Sequence, residues 1–306
     1  MTNENIMVFW QRFRRHKLGL IGIGIFLIIG FCAVTADIIA PYPWEYSEMI
    51  QDSGPTPGTE SQYGLPPFSW NELGNRFHLL GTDVVGHDIF TGLLKGAQFA
   101  LFITILGMII ATAIGIVLGM IAGYFSGKID ELIMRFSELF IGISRLILIL
   151  FFVAVFENIM LSNEIATLIV LSLIFGLTGW VSVSRATRTL FLSFKEQNHS
   201  ASNPVSSLNF LKSLLFNELG PIIAIGMAEI ILFGSVLTFI GFGNHTIASW
   251  GRMLQLSQIG LRFAWWSVVF PGLAIFFSVL ALHLIGDALK EMIDSQRRQK
   301  EKSVTL

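Results

Sequence analysis

The chain has 306 residues, 20 Lys and Arg against 21 Asp and Glu, with 53% of residues hydrophobic and only 13% charged. Soluble domains are roughly one-quarter charged, whereas the mean hydropathy here is +0.67. These values exclude a disordered or collagen-like chain and a nucleic-acid binder acting through bulk positive charge, argue against an ordinary cytosolic enzyme, and leave an integral membrane protein.

A bilayer core about 30 Å thick needs about 20 apolar residues as helix. The first uncharged run is Leu18 to Ala36. Its basic lead (Arg12, Arg14, Arg15, Lys17) resembles a signal peptide, but its 19 residues exceed the h-region length of roughly 7–15, so a retained helix is expected. Pro41 to Leu79 follows, acidic and rich in Pro and Gly, with no helical period, and reads as an irregular extracytoplasmic loop. The second run is Gly96 to Gly127, where Gly107, Ala111, Gly115, Gly119 and Gly123 would permit close helix packing. The third, Leu132 to Phe156, is interrupted by Arg135, Glu138 and Arg145. The fourth is Ile165 to Ser184, the fifth Leu219 to Gly251, broken by Glu229, and the sixth Phe263 to Gly286.

Between the fourth and fifth runs, Arg185 to Phe216 is too polar to span. Leu190, Phe191 and Phe194 give one apolar helical face; beyond Asn203-Pro204, Leu208, Leu211, Leu214 and Leu215 give a second stripe. Short amphipathic helices that dock on a partner or lie on headgroups are expected there. The expected fold is all-α integral membrane, with six transmembrane helices, divided at 1–40, 41–95, 96–290 (with the loop 185–216) and a basic tail 291–306.

With the N-terminus inside, the inner segments carry Arg12, Arg14, Arg15, Lys17, Lys128, Arg135, Arg185, Arg188, Lys195, Lys212, Lys290, Arg297, Arg298, Lys300 and Lys302, and the outer ones only Arg76, Lys95, Arg252 and Arg262. That positive-inside bias places both termini in the cytoplasm. Trp44, Trp250, Trp265 and Trp266 fall near outer helix ends, as an aromatic belt would.

Little catalytic chemistry is visible. Gly123-Tyr-Phe-Ser-Gly127-Lys128-Ile129 has the wrong spacing for a nucleotide-binding loop and lacks the magnesium-holding hydroxyl. Cys32 is the one cysteine, and His16, His78, His87, His199, His245 and His283 are scattered singly, so no metal site is expected. Ionisable groups at membrane depth cost ~2.5–3.5 kcal/mol each and so carry information. Glu138 and Arg145, seven apart, would share one face of a continuous third helix, with Glu229 as a partner for Arg145. Such a face would line a substrate route or form a structural pair. His283 reads as structural.

Five blocks resemble a known family: Phe9 to Tyr42, Leu80 to Ala97 (LGTDVVGHDIFTGLLKGA), Gly115 to Phe140, Leu237 to Leu254 (LTFIGFGNHTIASWGRML) and Phe270 to Leu289. In order, and over nearly the whole chain, they resemble the C-type membrane permease subunits of the oligopeptide, dipeptide and nickel group of ABC importers. The resemblance implies six helices, cytoplasmic ends, and a loop docking on ATPases through Lys195, Glu196, Ala201, Leu208, Leu211, Lys212, Leu215 and Phe216. It implies no cofactor in this chain, with ATP and Mg bound by partner subunits. The implied partners are a second homologous permease, two ATPase subunits, an extracytoplasmic solute-binding protein and membrane lipid, but no nucleic acid, in the inner membrane of a prokaryote.

Departures from the family pattern lie in the docking loop, where Glu-Ala-Ala, a Gly and a final Leu-Pro are usual; Ala201 to Phe216 lacks the acid and the Gly, contains Pro204, and ends in Phe216. Gly234 stands where Glu is common, and Ser144-Arg145 where a proline-containing turn is common. The leading expectation is half of the translocation pathway of an ATP-driven peptide importer, with Glu138, Arg145 and Glu229 on the path. An ion-coupled carrier using those three residues, a non-transporting scaffold with a decayed loop, and an exporter stay open at this point.

Overall fold

Apolar runs of this length fold as helices because each backbone N–H and C=O then finds its partner within the segment. The computed structural model describes residues 16–44, 64–70, 76–125, 127–200, 219–244, 246–258 and 260–304. In chain order the elements are α1 (Lys17–Ile39), β1 (Ser69–Trp70), β2 (Phe77–His78), α2 (Ile89–Phe125), α3 (Gly127–Gly142), α4 (Arg145–Met160), α5 (Glu164–Ser200), α6 (Gly220–Ile240), α7 (Trp250–Ser257) and α8 (Trp266–Val304). Among the described residues α1, α2, α5, α6 and α8 are long and apolar enough to cross a membrane. A sixth crossing results if α3 and α4 count as one broken span. The protein is therefore an all-α membrane protein with a two-stranded antiparallel hairpin, Ser69 opposite His78, on its long loop.

The bundle is built around α2 and α5, which pack along most of their lengths. The small-residue stripe explains the closeness: a Cβ on Gly119 would sit 2.5 Å from the Ser184 carbonyl oxygen, and one on Gly115 2.5 Å from Val183 Cβ. Ile103, Phe175, Ile230 and Leu237 fill the centre, almost wholly buried. Toward the C-terminal part of α5, Arg188 grips Asp130 of α3 with two guanidinium nitrogens, a bidentate geometry that fixes orientation as well as distance.

Four expectations need correction. The third run is not one helix: α3 ends at Gly142, Ser144 has non-helical φ −54° and ψ 123°, and α4 leaves at 91°. Glu138 and Arg145 therefore lie on different helices and share no face. Leu190, Phe191 and Phe194 do not begin a separate surface helix; they continue α5 and pack against the core. The fifth run stops as a helix at Gly241, whose φ of +109° closes α6, and non-helical chain leads from there to α7 at Trp250. Of the four belt tryptophans, Trp44, Trp250 and Trp266 are buried and Trp265 alone is exposed. Residues 95 and 96 both lie on α2. Of the docking segment, Lys195 and Glu196 lie on α5, while Ala201, Leu208, Leu211, Lys212, Leu215 and Phe216 fall outside the described residues.

Candidate functional site

Two constellations carry polar residues away from bulk solvent. The outer one is built from the Leu80 to Ala97 and Leu237 to Leu254 blocks. Asp83 accepts backbone N–H bonds from Val85 (2.9 Å) and His87 (2.8 Å), and its second oxygen meets His87 Nδ1 at 3.0 Å. Asp88 caps α2 by accepting from the Thr91 N–H (2.8 Å), and its other oxygen meets His78 Nδ1 at 2.8 Å. Gly81 turns the chain at φ +81°, where a Cβ would lie 2.3 Å from the Leu65 carbonyl oxygen. Trp266 Nε1–H donates to the Thr82 carbonyl at 3.0 Å, and the Trp44 ring stacks on His87.

The second block closes on the first. Ser249 caps α7 by accepting from the Arg252 N–H. Trp250 Nε1–H donates to the Leu93 carbonyl at 3.1 Å, with its indole laid over Gly96. Gly251 lets α7 touch α6, since a Cβ there would stand 2.0 Å from the Ser235 carbonyl oxygen. Burial pulls the Arg252 guanidinium below its ordinary pKa, and nearby Asp83 opposes that shift. Nearly every group in these blocks is consumed by packing or capping, so they hold the fold. Among the described residues no cluster of His, Cys, Asp and Glu could hold a metal ion.

The inner constellation is open. The break between α3 and α4 leaves a cavity of about 490 Å³ beside α2, α5 and α6. Ile143, Ser144 and Arg145 at the break, Met108 and Ala111 of α2, Thr178, Gly179 and Ser182 of α5, and Ile222, Ile225 and Glu229 of α6 lie on its wall. Met108 and Ala111 lie near the middle of α2, and so at membrane depth. Arg145 Nη1 donates to Glu229 Oε2, joining the break to α6. The guanidinium lies over the Phe233 ring at 5.5 Å and against Gly179, where a Cβ would stand 3.0 Å from Nη2. The side chains are 23% and 45% exposed, so both partners face the cavity. Among the described residues Arg145 Nε has no hydrogen-bond partner.

The structure thus brings together Arg145 and Glu229 and leaves Glu138 apart, exposed on α3 and not on the cavity wall. His283 Nδ1 lies 2.9 Å from the Val279 carbonyl oxygen one turn back, a local helix contact. A further hollow of about 390 Å³ near the N-terminal ends of α2 and α5, lined by Trp44, Lys95, Gln98, Glu164 and Thr246, was not anticipated. Its charges are tied down: Lys95 Nζ and Gln98 Nε2 donate to Asp37, and Thr246 to Glu164.

Comparison with known proteins gives two family matches. Residues 7–56 match the N-terminal TM domain of oligopeptide transport permease C, and residues 115–201 the binding-protein-dependent transport system inner membrane component. The di/tripeptide transport system permease protein DppC of Pseudomonas aeruginosa is 32% identical over 294 residues, covering 94% of this chain and 90% of the relative. The dipeptide transport system permease protein DppC of Haemophilus influenzae is 30% identical, covering 95% of each. The oligopeptide transport system permease protein OppC of Bacillus subtilis is 24% identical, covering 94% and 88%.

Proposed function

The chain belongs to the permease family of ABC peptide transporters, and from that premise we propose how it carries out its part. It is a multi-pass permease subunit of a peptide importer in a bacterial inner membrane, a transport component rather than an enzyme, and it works with other subunits. The observation that carries this reading is similarity to peptide permeases over nearly the whole chain, in one collinear stretch.

The finer proposals are these. The bundle crosses six times, with α3 and α4 as one broken crossing, and the charge bias along the sequence supports cytoplasmic termini. The partners are a second homologous permease, two ATPases that bind ATP and Mg, and an extracytoplasmic binding protein. Lys195 and Glu196 stand at the end of α5, where a helix reaching beyond the bilayer could present Ala201 to Phe216 to an ATPase. The ATPases would transmit their closure through that segment and rock the bundle about a fixed route. Helices interrupted at membrane depth are where transporters place such routes. The cavity at the α3–α4 break, with Arg145 and Glu229 on its wall, fits that role, and Glu138 does not.

The test is purification of the tagged chain from its native membrane with whatever accompanies it, followed by reconstitution. A second permease and ATPases should co-purify and drive ATP-dependent uptake of a labelled dipeptide. The triple variant L208A/L211A/L215A should keep the chain in the membrane and abolish uptake. Uptake by the chain alone without ATP would overturn the reading.

A further inference from the structure

We infer that Arg145 and Glu229 form a binding site for the two charged ends of a short peptide, the guanidinium taking the C-terminal carboxylate and the Glu229 carboxylate taking the α-ammonium. The inference rests on the peptide-permease reading above and deepens it.

Four observations carry it. First, among the described residues Arg145 and Glu229 are the only charged groups on the wall of the 490 Å³ cavity, whose size falls in the range of roughly 300–1,000 Å³ used for small ligands. Second, both partners of the bridge line the cavity and are partly exposed, Arg145 at 23% and Glu229 at 45%. Third, Arg145 is held from behind by Phe233 and Gly179, and only Nη1 is used on Glu229, so its fork keeps donors to offer. A planar fork suits a carboxylate bidentately. Fourth, the remaining wall is made largely of apolar side chains such as Phe140, Ile143, Ile222 and Ile225, with Ser144, Thr178 and Ser182 as its uncharged polar side chains among the described residues.

The electrostatics close on themselves. Empty, the two charges neutralise each other at a depth where an unpaired charge is costly. A zwitterionic peptide brings one carboxylate and one ammonium, so each protein charge exchanges its partner for another of the same sign. No charge is left unpaired in either state. The site therefore selects termini and tolerates side chains. It also favours short peptides: a dipeptide spans roughly 7 Å and a pentapeptide roughly 17 Å, so the pair, in direct contact when empty, parts less for the dipeptide.

The test uses the whole reconstituted transporter with saturating binding protein. Initial uptake is measured for one dipeptide as free acid, as C-terminal amide and as N-acetyl derivative, and each variant is compared with wild type on the same peptide, which cancels the binding protein's own preference. Arg145→Gln should lower uptake of the free acid about tenfold and move the acid-to-amide ratio toward one. Glu229→Gln should do the same to the ratio of free amine to N-acetyl. The double variant R145Q/E229Q leaves no unpaired charge, should assemble normally, and should lose both preferences. If it assembles and keeps both wild-type ratios, or if all three peptides fall by one common factor, the pair is structural and the inference is overturned. If wild type moves no peptide with ATP, the functional reading itself fails and takes this inference with it.

Discussion

The outer blocks and the inner cavity use the same kinds of residue to opposite ends. Around Gly81, Asp83 and Asp88, carboxylates, histidines and tryptophans are spent on capping, turning and stacking. At the α3–α4 break one arginine and one glutamate stand among apolar side chains and the hydroxyls of Ser144, Thr178 and Ser182, beside open volume. The most recognisable motifs of the sequence thus hold the architecture. The residues open to a ligand lie at the α3–α4 break and on the facing α6, at Arg145 and Glu229.

That contrast can be broken by substitution. The largest effect is expected in the outer blocks. Trp266→Ala removes a buried indole and its bond to Thr82, and Gly81→Ala forces a Cβ onto the Leu65 carbonyl oxygen at positive φ. Each should cost about 3–5 kcal/mol, visible as loss of monodisperse protein in detergent. A smaller effect follows from breaking the inner pair. Glu229→Gln alone leaves Arg145 uncompensated and should cost about 2–3 kcal/mol, because the cavity is partly open, whereas R145Q/E229Q should be close to neutral. Thermal midpoints of the purified protein check both, and equal losses in single and double variants would erase the distinction drawn between the regions. Asp88→Asn keeps a cap acceptor for Thr91 but loses the charge facing His78, and should cost about 1–2 kcal/mol. Trp265→Ala, on an exposed ring beside the buried Trp266, should stay within about 0.5 kcal/mol by the same assay.

Much of the fold was legible in the sequence because hydrophobic length alone locates helices in a bilayer. The stripe from Gly107 to Gly123 indicated close helix packing for the same simple reason, absence of side-chain bulk, and the structure supplies the partner, α5. What failed was local. The apolar pattern continues on both sides of Ile143 despite the charges within it, so the run joined two helices that the backbone separates. The signal was present in Gly142 followed by Ser144, a small stop residue and then an N-cap type directly before Arg145. The tryptophans misled because proximity to a helix end does not reveal burial: Trp250 is covered because Gly96 makes room for it on another helix. Of the candidate site, the pairing of Arg145 with Glu229 was accessible from the cost of charge at depth. The cavity was not, since it exists only because the helix breaks.

The most direct test places a thiol on the cavity wall. Cys32 is the chain's one cysteine, so Cys32→Ser gives a clean background for Ser182→Cys. If the cavity lies on the peptide route, a bulky thiol reagent at position 182 should stop ATP-driven dipeptide uptake by the reconstituted transporter, and saturating dipeptide should slow the labelling. The same reagent at Phe276→Cys, on an exposed apolar stretch of α8, should leave uptake unchanged. Complete labelling at 182 with undiminished uptake would contradict the account.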